Sequence, residues 1–80
     1  MPIFSKKIHI PNDGKLAFNF TSIYTKDGLR YFISVVDKYY KHHHFYMKEE
    51  NGSWVIVEKP ELPEWIYQIQ GELNRAFENH

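Results

Sequence analysis

Up to Glu58 the chain alternates apolar and polar positions with a period close to two, and beyond it the apolar positions recur at helical spacing. β-Branched and aromatic runs occupy 3–10, 15–25, 29–37, about 43–49 and 53–58. Three turn signals separate most of them: Asn12-Asp13-Gly14, Lys26-Asp27-Gly28 and Asn51-Gly52. Glycine supplies the positive φ of a tight hairpin, and Asn or Asp tolerates it. The pattern predicts an antiparallel meander of about five strands. Between the third and fourth runs, near Lys38 to His42, there is neither Gly nor Pro, so a loop or a bent strand fits equally.

Register is tied to the hydrophobic pattern, because a slip of one residue moves every side chain to the other face. A two-residue Asp27-Gly28 loop sets Tyr24 opposite Tyr31, Phe20 opposite Val35 and Ser22 opposite Ile33. A three-residue Asn12-Asp13-Gly14 loop brings Ile10 to Leu16 and Ile8 to Phe18. A three-residue Glu50-Asn51-Gly52 loop aligns Phe45 and Met47 with Val57 and Val55. A two-residue Asn51-Gly52 turn would put Trp54 and Ile56 there instead.

Lys59-Pro60-Glu61-Leu62-Pro63 ends the sheet. Pro63 suits a helix start, where a missing donor costs nothing, and Glu61 and Glu64 complement the dipole there. Leu62, Ile66, Ile69, Leu73, Ala76 and Phe77 form one apolar stripe, which predicts a single helix over about 62–78, roughly 24 Å long. Gly71 interrupts good helix formers and would admit a close approach to the sheet. Trp65, beside the stripe, is expected to cover the end of the sheet, with Tyr67 half-exposed on the flank. The fold class is therefore α+β: a β-meander packed on one face by a single C-terminal α-helix, in one domain over 1–80.

Composition narrows the function classes. The 80 residues include no cysteine, which excludes disulfides and cysteine-held zinc. No run approaches the roughly 20 apolar residues of a spanning helix, and the start Met1-Pro2-Ile3-Phe4-Ser5-Lys6-Lys7 lacks the order of a secretory signal, so a cytoplasmic protein without a membrane partner is expected. The zero net charge hides an asymmetry: residues 1–48 hold eight Lys or Arg against three Asp, and residues 49–80 hold two against seven Glu.

One helix covers one face of a sheet. The other face carries Arg30, Phe32, His44, Tyr46, Lys48 and Trp54 in the chosen registers. A chain with six Phe, six Tyr and two Trp has more rings than a one-helix core absorbs. Large exposed apolar patches mark contact sites. This face is expected to bind a second copy, giving a homo-oligomer, or a protein partner. The alternative is single-stranded nucleic acid, with rings stacking on bases and cations on phosphates. The third strand, Gly28 to Val35, lacks the basic and aromatic pattern of an RNA-recognition motif, with Asp27 and Leu29 in its basic and first aromatic positions.

Catalytic chemistry has little to stand on. None of Ser5, Ser22, Ser34 and Ser53 sits in a nucleophile elbow, and no phosphate-loop, dinucleotide or HExxH motif occurs. Asp37 could place an acid beside His42 or His43, although Asp at a strand end is usually a turn residue. His42 and His44 share one side of a strand and are the weak candidates for a metal, but zinc requires three or four ligands. The expectation is no enzyme, no cofactor and no metal.

Overall fold

A computed structural model describes residues 3–57 and 61–78. Five strands, β1 (Ile3–Ile10), β2 (Gly14–Thr25), β3 (Gly28–Val36), β4 (His42–Glu50) and β5 (Ser53–Val57), form one antiparallel sheet in chain order. Two short helices follow, α1 (Glu64–Gln68) and α2 (Gln70–Glu78). The expected strand end at Glu58 and the Lys59-Pro60 break lie outside the described residues.

Local chemistry explains the turns. Asn51 and Gly52 take φ of 53° and 87°, and positive φ at both centres of a two-residue loop matches the twist of the flanking strands. Glu50 therefore pairs with Ser53 and Met47 with Ile56. The three-residue expectation at Glu50 is corrected here. The slip is one residue, so Trp54 and Ile56 turn to the helix side, while Val55 and Val57 take the uncovered side.

The other two hairpins differ from expectation by two residues. Thr25 pairs with Gly28 around a Lys26-Asp27 loop, placing Phe20 opposite Ile33, Phe18 opposite Val35 and Ser22 opposite Tyr31. Ile10 pairs with Gly14, so Ile8 meets Leu16 and Phe4 meets Phe20. A slip of two keeps every side chain on its face. Tyr24 is the exception in burial: it pairs with Leu29 at the sheet's end and is 79% exposed.

Between β3 and β4 the chain makes a tight loop rather than a bent strand. Asp37 organises it: its backbone N–H donates to the Lys41 carbonyl at 2.9 Å, and its Oδ1 accepts from the N–H groups of Tyr39 and Lys41 at 2.8 and 3.0 Å. Lys38 ties this loop to the β1–β2 loop through Asp13, Nζ to Oδ1, at 2.7 Å.

The helical segment is nearly continuous. The Ile69 N–H donates to the Trp65 carbonyl and the Leu73 N–H to that of Ile69, although Ile69 itself departs from helical dihedrals (φ −95°, ψ 13°). Thus the single helix expected over 62–78 is two helices. Gly71 is exposed and a Cβ there would meet nothing within 4 Å, so it serves no close approach.

The core lies between the sheet and the helices. Phe18, Phe20, Ile33, Phe45 and Met47 from the central strands meet Ile66, Ile69, Leu73 and Ala76. A ring cluster closes one end: Phe77 stacks on Trp54 at 4.4 Å and meets Tyr31 and Phe20 at 4.9 and 5.3 Å. At the other end Trp65 stands edge-on to Phe18. Among the described residues no helix is long and apolar enough to cross a membrane.

Candidate functional site

The helices leave one side of the sheet bare. Phe32 and Tyr46 are direct cross-strand partners on that side, with ring centroids 5.3 Å apart and planes tilted by 59°. His44 lies against Phe32 at 5.8 Å and 35°. Phe32 is half-buried by its neighbours, Tyr46 remains 36% exposed, and Val36 is 41% exposed. Val55 and Val57 extend this apolar strip towards β5, and the expected face residues Arg30, Phe32, His44, Tyr46 and Lys48 are there. Trp54 is not. It belongs to the ring cluster under the helix, edge-on to Tyr31 at 5.3 Å, because the Asn51-Gly52 turn is one residue shorter than expected.

Charge is distributed unevenly around the sheet. Lys7, Lys15, Arg30 and Lys48 project from the described strand residues of the bare face, against Glu50 alone. Arg30 and Lys48 are direct partners across β3 and β4, an arrangement that raises the energy of a sheet. Each is partly balanced: Lys48 lies 3.4 Å from Glu50 and Arg30 lies 3.9 Å from Asp27. Over residues 61–78 the signs reverse, with Glu61, Glu64, Glu72 and Glu78 against Arg75. The face continues into a groove of about 800 Å³ at the β5 flank, bounded by Arg30, Lys48, Val55, Val57 and Tyr67, with Glu50, already 3.4 Å from Lys48, as its one carboxylate.

Asn74 is a residue whose role the sequence did not announce beyond its being a weak helix former inside a helix. Its Oδ1 accepts from the Trp54 N–H at 2.7 Å and its Nδ2 donates to the Trp54 carbonyl at 2.8 Å. Nδ2 also donates to the Gln70 carbonyl at 3.2 Å. One side chain thereby does for the outer edge of β5 what a neighbouring strand would do.

The histidine run divides across the sheet. His42 and His44 share the bare side, as the period of two requires, whereas His43 is buried (7% exposed) with its ring edge-on to Trp65 at 5.7 Å. Among the described residues no three His, Asp or Glu side chains gather as a metal would need. His43 and Asp37 do pair, Nε2 to Oδ2, at 2.9 Å. Asp37's other oxygen is already occupied by the loop's N–H groups, so the carboxylate fastens the loop to β4. No Ser or Thr lines the depression beside this pair among the described residues.

The hydrogen bond from His43, then that from the Lys41 N–H, holds the Asp37 carboxyl below its ordinary value. The sign follows from that direction. The contribution is complete above the unfolded carboxyl's value of about 3.9 and is lost as pH falls through the lower folded value. Denaturant midpoints measured from pH 7 down to pH 3 should fall below about pH 4. Asp37→Asn should show a lower midpoint at pH 7 and a shallower fall. An unchanged pH slope in Asp37→Asn would remove Asp37 from the account.

No protein-family model, characterised protein or solved structure matches this chain.

Proposed function

We propose that the chain is a non-enzymatic binding module whose bare sheet face holds an acidic segment of a partner protein. The observation that carries this reading is the placement of Phe32 and Tyr46 between Arg30, Lys48 and the β5 groove. Apolar side chains of the segment fill the strip, and its carboxylates meet the flanking cations.

Two other occupants fit less well. A second copy docked face to face would oppose four cations to four, with only Glu50 on each side to offset them. Single-stranded nucleic acid would use the cations, but its bases need open ring faces, and the rings of Phe32, Tyr46 and His44 lean on one another. A cytoplasmic setting is consistent with a cysteine-free chain.

The test uses Phe32→Ser/Tyr46→Ser and a fluorescent peptide alternating Glu with Leu and Phe. The native chain should bind at low salt and weaken as salt rises, because the Debye length shrinks to about 8 Å at 0.15 M. The double variant should lose at least about tenfold in affinity while keeping its far-UV spectrum, each tenfold being about 1.4 kcal/mol. Equal affinity in the double variant, or preferential binding of an oligothymidylate, would overturn the reading.

A further inference from the structure

We propose that the outer edge of β1 is a second binding surface, which takes an extended acidic segment of a partner protein as a sixth strand. The two sheet edges are unlike. At β5 the Trp54 backbone is closed by Asn74, which satisfies both its donor and its acceptor. β1 is the first strand in the sheet order, eight residues long, and among the described residues it pairs with β2 on one side only. Such an edge presents a row of backbone donors and acceptors to an incoming strand.

Charge selects the strand. Lys6 projects to the helix side of β1 and Lys7 and His9 to the bare side. These three, with Lys15 and Arg75, surround a depression of about 300 Å³ whose one carboxylate, Glu72, is already bonded to Arg75 at 2.8 Å. Lysines on an edge strand normally discourage pairing between copies, and they do so here. Two β1 edges paired antiparallel about Lys6 or about Lys7 would set that lysine opposite its own counterpart in the other copy. The same cations attract a strand with Glu or Asp on both faces, so one feature rejects the wrong partner and recruits the right one. A phosphate chain would satisfy the cations but offers no donors to the β1 carbonyls. The backbone therefore favours a peptide.

The experiment follows the backbone amides of the ¹⁵N-labelled chain during titration with a peptide of repeated Glu-Glu-Val-Val, which sets Glu on both faces of a strand. Shifts and slowed exchange should concentrate on residues 3–10, and affinity should drop on the order of tenfold in Lys7→Glu/Lys15→Glu. The same peptide N-methylated on alternate residues should lose binding, since it can no longer donate to the strand. Shifts confined to Phe32 and Tyr46, equal binding of the N-methylated peptide or of an oligothymidylate, or concentration-dependent shifts of β1 without peptide would each overturn the assignment. Shifts at Phe32 and Tyr46 alone would leave the bare-face reading intact, so the two surfaces fail separately.

Discussion

Replacing Trp54 with alanine is expected to cost about 3 kcal/mol, at the lower end for truncating a packed aromatic ring. The ring stacks on Phe77 at 4.4 Å and 17° and closes the edge of Tyr31, so its removal takes a packing partner from two further rings. In a domain of this size that loss should lower the melting temperature by roughly 15 °C. Phe32→Ser provides the contrast. Phe32 lies on the other side of the same sheet and gives up little beyond its cross-strand partner Tyr46, worth about 1 kcal/mol or less. Calorimetry on the two variants separates the faces. A Trp54 variant as stable as the native chain would mean that the last hairpin has the other register.

Asn74→Leu should be the next most damaging change. The leucine fills the same space but leaves the Trp54 N–H and carbonyl facing a group that cannot bond them and that hinders water. Orphaned groups of this kind cost about 1–3 kcal/mol each, and partial exposure here brings the pair to about 2 kcal/mol. Asn74→Asp, which keeps the acceptor for the N–H and loses the donor to the carbonyl, should fall between. Amide exchange at Trp54 reads the effect directly, since its protection should fall in Asn74→Leu. Unchanged exchange and an unchanged denaturant midpoint would show that the edge does not depend on Asn74.

These two residues also mark where the sequence was legible and where it was not. Strand number, order and direction follow from alternation and from Gly-bearing turns, both local properties. Hairpin register is less local. In the first two hairpins the loop sits one residue from the expected place, which shifts the cross-strand pairing by two, and the faces survive because the side-chain period is two. In the last hairpin the displacement is one residue, and Trp54 crosses the sheet with Ile56. The choice was between two turns at Asn51-Gly52, and the rings of Phe77 and Tyr31 waiting under the helix decide it. Phe77 lies 23 positions beyond Trp54, out of reach of any local pattern.

The bare face was legible in outline for the same reason. Coverage by one helical layer is an argument about area, and Arg30, Phe32, His44, Tyr46 and Lys48 follow from parity along β3 and β4. The partition of charge between that face and the helical layer needed the registers. So did the pairing of Asp37 with His43, which brings together residues six apart across a loop that carries no glycine. Asn74 was hidden most deeply, since an amide inside a helix gives no sign of the strand it will meet.

The central claim is that the bare face is open in the isolated chain and suited to an acidic partner rather than to its own copy. Sedimentation equilibrium at low salt tests this most directly. The account predicts one species of 9.7 kDa up to high micromolar concentration. A stable dimer that dissociates when Phe32 and Tyr46 become serine would contradict it.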